Sequence, residues 1–187
     1  MRPPEPPPDD RGPVLLRLAR ASVAEALGLA TAPAPPDPPW LAAPGATVVT
    51  LRRAGRLRGC GGSVRARRPL GDDVRANARA AAFHDPRFPP LTAAEWEGLA
   101  FEVSLLSTPV PLRAASEEEV LAALRPGEDG VILEEGTARA TFLPQVWESL
   151  VTPEAFLAEL KRKAGLPAGY WSADVRVWRY AVERWEE

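Results

Sequence analysis

One cysteine, one histidine and one methionine are all that the chain contains of those residue types, and lysine occurs only at Lys161 and Lys163. A lone cysteine cannot form an internal disulfide, and it cannot hold a structural zinc without further ligands. With His84 as the single histidine no histidine-rich metal site can be assembled, so neither a metal nor a cofactor is expected. No apolar run approaches the ~20 residues of a membrane-spanning helix. The start, Met1-Arg2-Pro3-Pro4, lacks the apolar stretch of a secretory signal. Little cysteine and no targeting segment lead to the expectation of a cytoplasmic protein. Neither a GxxxxGKS/T nor a GxGxxG phosphate loop occurs, which argues against an NTPase or a dinucleotide enzyme. No nucleophile-elbow serine accompanies the histidine.

What is present centres on Leu57-Arg58-Gly59-Cys60-Gly61-Gly62. Glycine on both sides of a thiol permits close approach to the backbone and tolerates positive φ. Arg58, two residues before the sulfur, supplies a positive field that favours thiolate over thiol. Free cysteine also buries readily as a small hydrophobe. Two readings of Cys60 therefore stand side by side: a functional thiol in a glycine-lined site, or an apolar filler. The surroundings are strongly basic. Nine arginines lie between Arg52 and Arg79, opposed only by Asp72 and Asp73, a local +7 in a chain of net charge −2. Such a segment suits an anionic ligand or a nucleic-acid backbone, although charge runs are more often solvated surface. No aromatic residue lies between Arg52 and Arg79 for a base to stack on, so at most weak nucleic-acid binding is expected.

The 187 residues, 45% hydrophobic and 26% charged, suffice for one domain with a continuous core. A proline-rich tail over 1–12, disordered or strap-like, is too polar and stiff to join it, leaving a single domain over 13–187. Gly12-Pro13 opens a helix in which Leu15, Leu18, Ala19, Ala26 and Leu27 share a face, and Gly28 stops it. Six prolines between Thr31 and Gly45 predict an extended strap anchored by Trp40 and Leu41. Thr47–Leu51 and the segment from Leu57 form a hairpin around Arg53-Ala54-Gly55, with a bulge suggested by the glycines. Asp72 caps a helix that runs to Phe83 with Val74, Ala78, Ala81 and Ala82 inward, and Asp85-Pro86 ends it. Thr92 with Glu95, and Ser116 with Glu119, have capping-box spacing. Segment 101–107 reads as a strand, and 131–133 with 139–142 as a second hairpin. Thr152-Pro153 starts a helix closed by Gly165, and 175–185 reads as one final strand. Helices and antiparallel strands intermix without β-α-β alternation, so the class is α+β.

Five segments then occur in a telling order: Leu57-Arg58-Gly59-Cys60, Asp85-Pro86-Arg87-Phe88-Pro89-Pro90-Leu91, Glu102-Val103-Ser104-Leu105-Leu106, Phe142-Leu143-Pro144-Gln145-Val146 and Lys163-Ala164-Gly165. The chain resembles the AMMECR domain family in these motifs, from about Val14 to the last strand. That family includes protein A of the AmmeMemoRadiSam system. The resemblance implies an antiparallel sheet flanked by helices, with a smaller lobe forming a cleft. It implies company, a Memo-like protein and a radical S-adenosylmethionine protein, and it supplies no reaction. The family pattern has a larger apolar residue after the cysteine, where this chain has Gly61. That departure is expected to leave the thiol more accessible.

The candidate catalytic residue is Cys60, and the candidate ligand-binding residues are Arg58, Gly59, Gly61, Asp85, Arg87 and Glu102. Arg87 can offer its planar fork to a carboxylate or phosphate, or brace its loop through a carboxylate such as Glu102. Asp85 can end a turn, and Glu102 can be a pocket acid or a solvent-facing residue. His84 as a base for the thiol is disfavoured, because the motif begins only at Asp85. These residues make sense together if strands 57–64, 101–107 and 139–142 approach one another beneath the 85–91 loop. Three functions remain: an enzyme or catalytic subunit acting through Cys60 on a small anionic substrate, a non-catalytic adaptor for a partner enzyme, and an RNA-binding module for RNA modification. A ligand-binding cleft around Cys60 is preferred, with catalysis left open.

Overall fold

The computed structural model describes residues 11–30 and 36–187. The class is α+β: among the described residues, four α-helices accompany two antiparallel sheets. The chain divides into two compact units, one reaching to Leu106 and including Glu183–Glu187, the other Ser107–Val182. Of the expected tail, residues 1–10 lie outside the described residues, and Arg11 and Gly12 already belong to the first helix. Residues 31–35 of the expected strap also lie outside them. The remainder of the strap contains one 3-10 turn, Pro39–Ala42, which buries Leu41. Proline excludes an α-helical interior but not a first turn.

The first unit contains α1 (Arg11–Ala26), β1 (Pro44–Arg53), β2 (Arg56–Gly62), β3 (Arg68–Pro69), α2 (Leu70–Phe83) and β4 (Leu99–Leu106). Its sheet runs β2-β1-β4-β9, with β3 pairing β1 and β9 spanning Val182–Glu186. Alternation along the strands sends Val49, Leu51, Phe101 and Val103 to one face, where each is at most 1% exposed. They share a core with Leu15, Leu18, Ala19 and Val23 of α1, and with Val74, Ala78, Ala81 and Ala82 of α2. Ala26, expected on the inward face, is exposed. Ala54 and Gly55 both take positive φ, 49° and 74°, the combination that matches the twist of a two-residue hairpin turn. The register shifts between Leu51 and Arg52, so Arg58 falls between Gly59 and Leu57 with no partner of its own: this is the expected bulge.

Asp72 does not cap α2. That helix begins at Leu70 after Pro69, without a side-chain cap. Its neighbour Asp73, 1% exposed, does far more. Its carboxylate accepts from the Thr47 N–H and hydroxyl (2.8 Å each), the Ser63 hydroxyl (2.7 Å), Asn77 Nδ2 (2.8 Å) and Arg68 Nε (2.8 Å). A buried charge is tolerable only with this degree of satisfaction.

The second unit contains β5 (Val110–Leu112), α3 (Glu117–Ala123), β6 (Gly130–Glu135), β7 (Ala138–Phe142), α4 (Pro153–Lys163) and β8 (Arg176–Tyr180), with sheet order β5-β8-β6-β7. Trp147 stacks on Phe156 at 3.8 Å within its core. Lys161, fully buried, ion-pairs with Glu117 at 2.7 Å and donates to the Tyr170 carbonyl. The capping signals hold: Ser116 Oγ accepts from the Glu119 N–H, and the box of Thr92 with Glu95 is complete. The single strand expected over 175–185 is instead β8 and β9, in different sheets. Ala181 separates them, exchanging two 2.9 Å hydrogen bonds with Ser107. Segments 57–64 and 101–107 contribute strands to the first sheet, whereas 139–142 belongs to β7 of the second.

Helix α2 sits directly on β2. A Cβ at Gly59 would collide with the carbonyl oxygen of Ala81, and one at Gly61 would come within 2.6 Å of the Asn77 carbonyl oxygen. Backbone cannot retreat as a side-chain tip can. Gly59→Ala should therefore lower stability by about 2–3 kcal/mol in urea unfolding. Gly169→Ala, where nothing lies within 4 Å, serves as the control. Equal midpoints for the two variants would refute this packing argument.

Candidate functional site

Period-2 alternation that turns Gly59 and Gly61 toward α2 turns Cys60 to the opposite face of the sheet. There Cys60 stands opposite Thr50 on β1, and Thr50 stands opposite Glu102 on β4. Thiol, hydroxyl and carboxylate thus form one row across three strands. Thr50 Oγ1 lies 3.8 Å from the Cys60 sulfur. The two flanking glycines serve helix packing on the other face, so neither opens the thiol. For the same reason the departure at Gly61 does not govern its accessibility.

The 85–91 loop, entered from the C-terminus of α2, closes over one end of this row. The Cys60 N–H donates to Asp85 Oδ2 at 2.9 Å. Arg87 grips the same carboxylate with Nε (2.9 Å), Nη2 (2.7 Å) and its own N–H (3.1 Å). Asp85 is buried while the Arg87 side chain is 57% exposed. The Arg87 guanidinium beside Asp85 holds that carboxyl far below the usual carboxylate range, outweighing its burial. The positive charge of Arg87 also favours the thiolate form of Cys60.

Arg58 plays a different part from the one its position suggested. Displaced by the bulge, it pairs with Glu95 through Nε (2.7 Å) and Nη2 (3.0 Å), and donates from Nη2 to the Pro89 carbonyl (3.0 Å). That pairing holds Glu95 down to about 2. Phe88 lies between the arginines, its ring centroid 5.8 Å from the Arg58 guanidinium and 5.7 Å from that of Arg87. Arg58 is a brace for the loop, and the cation near the thiol is Arg87. Burial pushes the Cys60 thiol above its ordinary 9.0. The Thr50 hydrogen bond and Arg87 pull it down, Asp85 and Glu102 push it up, and the net shift is upward. The resting group is a neutral thiol rather than the thiolate expected from Arg58.

Glu102 is buried rather than solvent-facing. Its Oε2 lies 3.7 Å from Arg52 Nε and 3.9 Å from Arg184 Nη1, and accepts no hydrogen bond from the described residues. It does not brace Arg87. His84 is exposed at the C-cap of α2, and the sulfur's hydroxyl partner is Thr50. Among the described residues, no group of three or more His, Cys, Asp and Glu side chains could hold a metal ion, and no helix is long and apolar enough to cross a membrane. Asp73 and Asn77, which tie α2 to Thr47 of β1 and to Ser63 just beyond β2, carried no local signal in the sequence. The parity of Gly59, Cys60 and Gly61 did, because residues flanking a strand position point away from it.

The thiol's environment predicts its titration. Alkylation of Cys60 by iodoacetamide, followed by mass spectrometry against pH, should climb with the thiolate fraction and level off only above pH 9.0. Arg87→Gln removes a charge that stabilises the thiolate and should move the inflection higher. An inflection below 9.0 in the native protein contradicts the dominance of burial.

The AMMECR1 family model matches residues 16–185. A protein of Thermofilum pendens is 38% identical over 93% of this chain and 88% of its own length. One of Methanothermobacter thermautotrophicus is 37% identical, covering 95% of each. The crystal structure of protein PH0010 from Pyrococcus horikoshii superimposes with a TM-score of 0.85 at 36% identity, over 94% of this chain and 91% of that one. By family model, relatives and fold alike, the chain belongs to the AMMECR1 family.

Proposed function

We propose that the chain binds a small anionic ligand beside Cys60, on the face of the first sheet opposite α1 and α2. The observation that carries this reading is Arg87. Asp85 fixes one side of its guanidinium, and more than half of the side chain remains exposed next to a neutral thiol. Arginine has five donors in a fixed fork, so a pinned guanidinium still offers donors to a carboxylate, sulfonate or phosphate. Arg58 has no part in it, being engaged by Glu95 and Pro89. A bound anion adds to the forces that keep the thiol protonated. The site is therefore suited to holding a ligand, and thiol chemistry enters when the ligand or a partner supplies a base. The family resemblance adds the context: a cytoplasmic component of a system with Memo-like and radical S-adenosylmethionine proteins, either acting on the ligand or serving as an adaptor to those enzymes.

The test uses methanethiosulfonates, which transfer their thioalkyl group to a thiol. Each rate at Cys60 is divided by the rate with free cysteine. The 2-sulfonatoethyl reagent should react about fivefold faster than the n-propyl reagent, the factor expected from ~1 kcal/mol of attraction between charges 4 Å apart in water. Arg87→Gln should abolish that preference. No preference in the wild-type protein rejects the anion site.

The RNA reading is weaker. Of the nine arginines between Arg52 and Arg79, at least six face carboxylates among the described residues: Arg52, Arg53, Arg58, Arg68, Arg75 and Arg79. Phosphate binding would have to break those pairs. Binding of single-stranded RNA should accordingly be weak, sequence-independent and lost by physiological salt, with a log–log salt slope of about 0.7 per phosphate contacted. Tight binding to one sequence, abolished by neutralising Arg65, Arg67 and Arg68 and indifferent to Arg87→Gln, would reverse this ranking.

A further inference from the structure

Glu102 carries a need that its protein neighbours leave open. Its side chain is 8% exposed, it lies in the same cross-strand row as Cys60, and its Oε2 accepts no hydrogen bond. Arg52 and Arg184, at 3.7 and 3.9 Å, balance its charge but stand beyond hydrogen-bond range. A buried carboxylate oxygen normally has a donor, and leaving it without one is unfavourable. The missing partner must be a donor, and a neutral one suffices. Arg52 and Arg184 already match the charge of Glu102, with Glu186 at 3.9 Å from Arg184 as the second carboxylate, so a neutral donor satisfies the oxygen without disturbing the charge balance.

We propose that the ligand of this site is an anion bearing a neutral hydrogen-bond donor, a hydroxyl or amide group, with its anionic end at Arg87 and its donor received by Glu102 Oε2. The assignment rests on the anion site at Arg87 and names the substrate class that fits it: a small hydroxy- or amido-acid, or the corresponding phosphate. Two strand spacings, about 10 Å, separate Cys60 from Glu102 across Thr50. A molecule of a few carbons spans that row, with the thiol at one end of it. Asp85 does not compete for the donor, because Arg87 and the Cys60 N–H already occupy both of its oxygens.

The same chemistry provides a separate readout. The 2-hydroxyethyl methanethiosulfonate is compared with the n-propyl reagent at Cys60, each normalised to free cysteine. The hydroxyl should confer about a fivefold advantage, the equivalent of one hydrogen bond, whereas the 2-aminoethyl reagent should gain none. Glu102→Met should remove the hydroxyl advantage and preserve the sulfonate preference, while Arg87→Gln should do the reverse. Arg52 and Arg184 are 44% and 40% exposed, so water can solvate them once the carboxylate is gone, and thermal unfolding verifies that the variant folds. Should it not fold, the wild-type ratio decides alone. Equal hydroxyethyl and propyl rates, as expected if Glu102 only holds water, overturn the donor assignment and leave the anion site standing. A lost sulfonate preference removes the anion site, and failure of every reagent to label native Cys60 overturns both.

Discussion

A single buried carboxylate holds the first unit in register. Asp73 collects donors from β1, from the exit of β2, from the residue that opens β3 and from the next turn of its own helix. Taking that charge out of water is unfavourable unless all of these partners arrive together. The start of α2 is thereby fixed on the end of β1. The helix axis must then pass over β2, and only glycine at 59 and 61 lets it do so. Cys60, between them, has no alternative to the other face. The position of the thiol thus follows from an acid that never approaches it.

The basic segment becomes intelligible in the same terms. Its arginines look like an excess when counted along the chain, yet most are matched in space. Arg79 reaches Glu25 and the Ser22 hydroxyl of α1, Arg75 meets Asp37, and Arg58 meets Glu95. Lysine, a compact charge on a flexible stem, would not give the same forked geometry. Most of these pairs are exposed and contribute little each to stability. Their effect is geometric, since they orient loops around the sheet. Near the thiol this leaves Arg87 as the open cation.

Much of the fold was legible in the sequence because its signals are local. Alternation at Phe101, Val103 and Leu105, the capping residues Thr92, Ser116 and Thr152, and the turn at Ala54-Gly55 each act within a few residues. Asp73 was not legible, since Thr47 lies 26 residues away and Ser63 ten. The break at Ala181 is not legible either, since it depends on Ser107, 74 residues distant, while the sequence on both sides alternates without interruption. At the site, Cys60, Asp85, Arg87 and Glu102 do fall in or beside one row, as their motifs suggested. Arg58 left that group through a bulge, whose effect on side-chain direction sequence spacing alone does not reveal. The glycines suggest a flexible, ligand-approachable stretch when taken singly, whereas strand parity turns both of them toward α2.

The hydrogen bond from the Cys60 N–H to Asp85 has one further implication. Strand β2 is the last in its sheet, so its outward amides are a template on which a foreign strand could grow. Asp85 occupies the amide at the middle of that template and places a charged, Arg87-bound carboxylate where an incoming chain would have to lie. The residue that orients Arg87 therefore also guards against aggregation. Position 85 thus serves two ends at once: a change there that retuned the thiol's surroundings would also unseal the edge of the sheet.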